Sequence, residues 1–292
     1  IYLARTVGEK AALTGQKSLW KQRQIEFEDL SPDQLARVLP HLRNPRSFAS
    51  VFAPGEYQLH NPRHVRALRG ACEQNGVTIL ERVGPVELNA GKGQTVRLTT
   101  ARETLDADHW CVAAGPWSES ILKTLGVPLP STPVRGQMAL FKLDQATFQP
   151  VVNEGIRYLV PRDDGHILVG STIEEVGFNN GPEATDIEAL KAWAGELMSD
   201  ITGDRFVKCW AGLRPGTCDG FPYLGSVGQL KNVWVATGHF KSGLHLSTGT
   251  GEVMADLIEG KTPPIDLTPF SPDRVASDET RALPESVRFV DP

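Results

Sequence analysis

Two apolar runs that each end in glycine constrain this chain most. Trp110-Cys-Val-Ala-Ala114 leads into Gly115, and Val233-Trp-Val-Ala-Thr237 leads into Gly238. A run without polar alternation suits a strand covered on both faces, as in a parallel sheet flanked by helices. A helix, then strands, then a buried strand closed by glycine reads as the later part of an α/β nucleotide-binding domain.

The segment between the two runs has a different rhythm. Over Val134–Val169, strands at Gln137–Leu143, Tyr158–Val160 and His166–Val169 alternate with turns at Asp144 and Asp163-Asp164-Gly165, the pattern of an antiparallel sheet. Near the start, Ile1–Ala4 is a short apolar run and Val7–Gln22 has helical composition. Ser31, Pro32 and the acids around them predict a helix start, with a stop near Pro40. Phe48–Leu59 reads as strand and turn. A helix over His64–Gln74 follows Pro62 and closes at Asn75-Gly76. Strands are expected at Val77–Leu80, Val83–Leu88, Thr95–Thr99 and His109–Ala114. Further on come a helix over Ala184–Ser199, a strand over Lys208–Trp210, a loop over Gly212–Gly216 and a helix over Thr250–Ile258. The tail after Lys261 is proline-rich and polar and reads as a surface strap. No internal repeat is present.

Composition narrows the function classes. The 292 residues suffice for one large domain or two ordinary ones, and 40% hydrophobic with 22% charged residues excludes collagen, coiled coil and wholesale disorder. With 30 Lys+Arg against 35 Asp+Glu, the formal net charge is −5, so nothing draws the whole chain to nucleic acid. Cys72, Cys111, Cys209 and Cys218 form no CxxC pair and read as buried or incidental thiols of a reducing compartment. No uncharged stretch approaches the roughly 20 residues of a membrane helix, and the expected location is the cytoplasm.

Common motifs fail here. Gly260-Lys261-Thr262 ends like a phosphate-binding loop, but Ala255 stands where the leading glycine belongs. No GxSxG elbow occurs. His60 and His64 have helical spacing but no third ligand nearby, so no metal site is expected. Gly249-Thr-Gly-Glu-Val-Met254 approaches GxGxxG without its third glycine. Its glycines still permit close approach at a helix N-terminus, where free N–H groups suit an electron-rich ligand edge. Arg214, pinned by Pro215 between glycines, has the chemistry to grip a carboxylate through two parallel hydrogen bonds. Tyr158 is either a core tyrosine or a binding hydroxyl.

Several segments match one family in order: Val112-Ala-Ala-Gly-Pro-Trp-Ser118, Pro133-Val-Arg-Gly-Gln137, Tyr158-Leu-Val-Pro-Arg162, Val169-Gly-Ser-Thr172, Trp210–Thr217, Asp219–Gly225 and Thr237–Gly243. The chain resembles the FAD-dependent D-amino-acid oxidase superfamily, and within it most the glycine oxidases of the thiamine-pathway type. The resemblance runs from Ile1 to about Arg274. It implies an α/β fold of mixed character, a Rossmann-like FAD domain interleaved with an antiparallel-sheet substrate domain. The substrate domain would hold 1–57 and 121–206, the FAD domain 58–120 and 207–275, and 276–292 would form a C-terminal tail.

The resemblance also implies roles. Val86 matches a valine whose backbone touches adenine, and Gly115 and Trp117 match a loop near the cofactor's phosphates and ribose. Gly212 and Gly238 fall among the cofactor-binding positions. His239, Phe240, Lys241, Ser242, Gly243, Leu244 and His245 match the loop beside the flavin ring. The helix that follows would stabilise negative charge on the reduced flavin. Arg214 and Tyr158 match the groups that hold the substrate carboxylate. Lys241 stands where glycine oxidases carry a second arginine; it keeps the charge and loses the fork. The implied reaction is hydride transfer from a small amino acid or amine to flavin N5, followed by reoxidation by oxygen or another acceptor. A homo-oligomer is compatible with it.

One departure matters. The family opens with a βαβ unit carrying GxGxxG, and this sequence contains neither that motif nor its acidic ribose ligand. Ile1-Tyr-Leu-Ala resembles a strand that ordinarily comes after that unit, so the FAD domain is expected to be incomplete at its N-terminus and to bind FAD weakly or not at all unless another chain supplies the piece. A truncated, flavin-free remnant acting as a binding or structural module is therefore one alternative. A sister-branch dehydrogenase or tRNA-modification oxidase domain is another.

Overall fold

The computed structural model describes residues 1–43, 48–91, 96–228 and 230–274, so the expected tail over 276–292 and Thr95 lie outside the described residues. The chain divides into two compact units. One holds Ile1–Leu59, Arg135–Glu174 and Asn179–Gly212, and the other holds His60–Val134, Glu175–Phe178 and the chain from Leu213 onward.

In chain order, the first unit opens with β1 (Tyr2–Ala4), α1 (Val7–Gln22), β2 (Glu28–Asp29), α2 (Pro32–Val38) and β3 (Ala49–Phe52). The second begins with α3 (Asn61–Gln74), β4 (Val86–Ala90), β5 (Val96–Thr100), β6 (Thr104–Leu105), β7 (Trp110–Val112) and α4 (Ser118–Lys123). The chain then runs through β8 (Thr132–Lys142) into β9 (Val152–Glu154), β10 (Arg157–Pro161), β11 (His166–Gly170) and α5 (Ala184–Leu197). It closes with β12 (Phe206–Gly216), β13 (Tyr223–Val227), β14 (Leu230–Thr237) and α6 (Gly243–Ile258).

Local chemistry sets the helix starts. Ser31 and Gln34 form a reciprocal capping box in which the Gln34 N–H donates to Ser31 Oγ and the Ser31 N–H to Gln34 Oε1, with Pro32 in the first turn. Thr6 and Glu9 do the same for α1. The sheet of the first unit has eight strands in the order β12-β8-β11-β10-β9-β1-β3-β2, and its central β8-β11-β10-β9 ladder is antiparallel throughout. Its alternation is clean. Ala139, Phe141, Leu159, Ile167 and Val169 are buried in one core cluster with Ile187, Leu190, Trp193, Ala194 and Leu197 of α5, which recur at the helical period. Burying each large aliphatic side chain there contributes roughly 1.5–3 kcal/mol. The intervening residues Met138, Leu140, Tyr158, Val160 and Leu168 fall on the other face and are only half-buried.

A charge network fixes the chain that leads into α5. Arg135 on β8 is 1% exposed. Its guanidinium donates to Glu174 Oε2 at 2.8 Å through Nε, to Glu183 Oε1 at 2.6 Å and to the Gly181 carbonyl at 3.1 Å. Gln137, fully buried, donates to Glu174 and Asp186 and accepts the Glu183 N–H. A buried guanidinium is tolerated only when so surrounded. Burial works to raise the Glu174 carboxyl, and the bonds from Gln137, Thr172 and Arg135 outweigh it, holding the group below the usual glutamate range.

The second unit carries a three-stranded sheet, β13-β14-β7, in which β14 and β7 run parallel with Val233 opposite Trp110 and Val235 opposite Val112. An antiparallel sheet of three strands, β4-β5-β6, stands separately. Leu88, Val96, Val112, Leu122, Leu129, Tyr223, Val227, Val233 and Val235 form the core. Among the described residues, β7 is paired on one side only.

Several expectations are corrected here. Val77–Leu80 is not a strand. Val77 is 52% and Leu80 50% exposed, α3 beside them in sequence buries none of its side chains, and an apolar run needs a ladder partner to become a strand. The strand expected over Val83–Leu88 lies at Val86–Ala90. The four free cysteines are exposed or partly exposed rather than buried.

The depressed Glu174 carboxyl supports folding above its unfolded value, the ordinary 4.5, and that support is lost as pH falls through the folded value. Acid unfolding followed by circular dichroism should therefore show a shallower loss of stability below about pH 4.5 in Glu174→Gln than in the parent. Equal slopes would remove Glu174 from the acid response.

Candidate active site

Parallel strands deliver their carboxyl ends to one side of a sheet, and in open α/β sheets ligands bind there. In the second unit the two parallel strands end at Val112 and Thr237, and glycine follows each within three residues. Gly115 (φ +56°) turns the chain into a single 3-10 turn, Gly115–Trp117, ahead of α4. The Thr237 hydroxyl donates to the Gly115 carbonyl at 2.9 Å, tying the two strand ends together.

Gly238 is required twice over. Its φ is +84°, in the left-handed region, and a Cβ there would lie 2.6 Å from Thr217 Cγ2 and 3.3 Å from Pro222 Cα. The loop that follows is held tightly. Phe240 has φ +50°, unusual for a bulky side chain, and its N–H donates to the Pro215 carbonyl at 3.0 Å. The Ser242 N–H donates to His239 O, and α6 starts at Gly243.

That start corrects the reading of a helix over 250–258. Gly249 and Gly251 lie inside α6, and the amides without intrahelical acceptors belong to Gly243, Leu244 and His245. These three are the first helical turn rather than loop. The His239 ring sits with Nε2 3.0 Å from Thr250 Oγ1, and burial pushes its pKa below the usual histidine value, favouring the neutral imidazole.

The loop expected over Gly212–Gly216 is also corrected: β12 runs unbroken through Gly216 and carries Arg214 on a strand. Its place at the edge of the sheet explains why Pro215 is tolerated, since no ladder partner needs the missing N–H. Arg214 is half-buried. The Phe240–Pro215 bond brings the backbone beside Arg214 against the backbone beside Lys241. Lys241 is exposed as a residue, while partial desolvation and the neighbouring Arg214 charge lower its pKa to about 8. Its Nζ lies 5.5 Å from the Phe240 ring centroid.

The second unit thus gathers Arg214, Gly115, Gly238, His239, Phe240, Lys241, Ser242 and the start of α6. Trp117 is exposed, its ring 6.0 Å from Phe178. Val86 lies on the separate sheet, opposite Thr100. Gly212 and Tyr158 belong to the first unit. Gly212 is exposed with open space where a Cβ would stand. Tyr158 lies on the half-exposed sheet face and donates its hydroxyl to Met138 Sδ at 3.3 Å. Gly170, opposite Tyr158 across the ladder, was missed from sequence. A Cβ there would meet Met138 and stand 2.8 Å from Tyr158 Cζ, so its absence lets the ring lie across the strand. The Val169-Gly-Ser-Thr172 segment held that signal. Arg135 and Gln137 were likewise visible only as motif letters.

The residues present fit a planar, electron-rich cofactor edge. They offer free first-turn amides on α6, open space around Gly115 and nearby cations, and among the described residues no group of three metal-ligating side chains.

A family model described as FAD dependent oxidoreductase matches residues 1–257. The glycine oxidase of Pseudomonas putida is 39% identical over 225 residues, 77% of this chain and 62% of that protein. The Pseudomonas aeruginosa glycine oxidase is 40% identical over 227 residues, 76% of this chain and again 62% of the relative. The crystal structure of glycine oxidase from Geobacillus kaustophilus superposes with a TM-score of 0.89 at 28% identity, covering 94% of this chain and 74% of that one. The chain therefore spans somewhat under two thirds of the length of the Pseudomonas relatives. A match over 257 residues of the 292 assigns the family: this chain belongs to the FAD dependent oxidoreductases of the D-amino-acid oxidase type.

Proposed function

We propose that this chain carries the chemistry of an FAD-dependent enzyme that oxidises the C–N bond of a small amino acid or amine, as the names of its glycine oxidase relatives suggest. The observation that carries the reading is the joining of Arg214 and Lys241, through the Phe240–Pro215 hydrogen bond, at the carboxyl ends of two parallel strands. That is where an open α/β sheet takes its ligand.

When bound, FAD would accept a hydride from the substrate α-carbon. Everything else falls to the chain. Arg214 would grip the carboxylate with two parallel hydrogen bonds, and Lys241 would add a second positive charge without a fork. The first-turn amides of Gly243, Leu244 and His245 would face the developing negative charge, which the end of a helix favours. Gly115 and Trp117, with Val86 toward the adenine, would line the remainder of the cofactor. The substrate amine must arrive neutral, so that its lone pair can form the C=N bond as the α-hydride leaves. Loss of the amine's proton and hydrolysis of the imine then give a keto acid and ammonia. Oxygen or another acceptor would finally take up the electron pair. Most of the acceleration assigned to the protein is positioning, worth up to about 7–11 kcal/mol in well-oriented reactions.

Arg214→Ala should raise the KM for glycine by well over tenfold, since a charge-assisted bidentate contact is worth about 1.5–3 kcal/mol or more. Flavin affinity, read from absorbance titration, should change by less than about twofold. An unchanged KM in oxygen-uptake assays would overturn the carboxylate role.

Lys241 loses its charge as pH rises through about 8. Binding of glycolate, an anion without a titrating amine, should weaken along that limb in the parent. Lys241→Met should flatten the limb, and Lys241→Arg should carry full affinity to higher pH. A glycolate inhibition constant independent of pH between 7 and 10 in the parent would exclude Lys241 from the anion site.

A further inference from the structure

We infer that Arg274, on the short strap after α6, is a positioning residue that sets the loop Gly238–Ser242 by clamping the 217–223 segment beneath it. The inference rests on the reading above of that loop as the cofactor-facing wall.

The strap is tightly built. After α6 the chain makes two single 3-10 turns, Thr268–Phe270 and Pro272–Arg274. Pro272 packs on Gly225 of β13 so closely that a Cβ on the glycine would lie 3.2 Å from Pro272 Cδ. The Phe270 ring meets Phe221 edge-on at 5.7 Å. Arg274 then turns its guanidinium inward. Nε donates to Asp219 Oδ2 at 2.7 Å and Nη2 to Asp219 Oδ1 at 3.0 Å, a bidentate fork. Nη2 also donates to the Phe221 carbonyl at 2.6 Å, and Nη1 to those of Pro222 and Ser271. The guanidinium carbon lies 4.2 Å from the Tyr223 ring centroid, a close cation–π contact. Burial works to raise the Asp219 carboxyl, and Arg274 with the Phe221 N–H outweighs it, so the aspartate stays ionised well into acid.

What Arg274 holds is the floor under Gly238. Thr217 donates to the Phe221 carbonyl at 2.9 Å, and Tyr223, fully buried, donates to Pro130 O at 2.9 Å. Thr217, Pro222 and Tyr223 are the groups that surround the hypothetical Cβ of Gly238, at 2.6, 3.3 and 3.4 Å. A contact with no room for one methyl group transmits displacement rather than absorbing it. If the 217–223 segment relaxes, Gly238 loses its seat, and the Phe240 N–H loses its register on Pro215. The effect of Arg274 on Lys241 and on the start of α6 is thus exerted through the floor, without contact with substrate or cofactor.

The test compares the full-length parent with Arg274→Ala and Arg274→Lys, the lysine keeping charge and stem while losing the fork. Hydrogen exchange read by mass spectrometry needs no flavin. Exchange at 238–242 should quicken about tenfold or more in Arg274→Ala, less in Arg274→Lys, with β10–β11 unchanged, because losing a charge-assisted fork shifts a local opening by a factor of this order. In FAD-loaded protein the KM for glycine should rise about five- to tenfold while kcat stays within about twofold, the split expected when orientation of a binding group is lost. Exchange at 238–242 equal to the parent in both variants would overturn the inference, as would kcat and KM changes of equal size. If Arg274→Ala unfolds, shown by faster exchange in β10–β11, Arg274→Lys decides alone. A parent that takes up no FAD, even at saturating concentration, would fail the functional reading instead and leave the exchange result to judge Arg274.

Discussion

The candidate site depends on a contact that excludes a single methyl group. Gly238 follows β14 at a point where a Cβ would collide with Thr217 and crowd Pro222 and Tyr223, and its positive φ turns the chain there. From that seat follow the strained Phe240, its bond to Pro215 and the point at which α6 begins. The strands supply a direction, but this contact supplies the distance. Close-packed interiors deform little, so an exact fit here propagates to the side chains that follow.

Arg135 and Arg214, one buried and one half-buried, stand in different surroundings. Arg135 is enclosed by Glu174 and Glu183, with Gln137 and Asp186 completing the network, and its charge is spent on holding the chain that precedes α5. Arg214 instead shares its neighbourhood with a second cation. The surroundings of these two arginines differ more sharply than their local sequences do.

Much of the fold was legible where local chemistry decides it. Ser31 with Pro32 and Gln34 specifies a helix start whatever surrounds it, and the unbroken run Val233–Thr237 identifies a strand, although only Val233, Val235 and Thr237 are buried while Trp234 and Ala236 on the other face are half-buried. The rhythm of strands and turns over Val134–Val169 gave the antiparallel ladder, and the family segments gave most of the candidate residues. What stayed hidden depends on partners distant in sequence. Gly212 to Gly216 looks like a loop because glycine and proline punctuate it, yet an edge strand accepts both. Gly249 and Gly251 suggested a helix start, while the start is fixed seven residues earlier than the predicted Thr250 by the Gly238 turn. Gly170 matters only because Tyr158 lies opposite it, a register no local pattern encodes.

The same dependence on partners bears on the open side of β7. Parallel strands are ordinarily interior strands, and here one carries a row of peptide groups without ladder partners among the described residues, in a unit whose α3 also leaves Val65 and Leu68 exposed. Water can satisfy those peptide groups but gains nothing from the aliphatic surface. The second unit therefore holds an unused capacity for templated strand addition, and a surface of this kind governs colloidal behaviour as much as catalysis. Whatever extends the sheet along β7 would convert a liability of solubility into buried core.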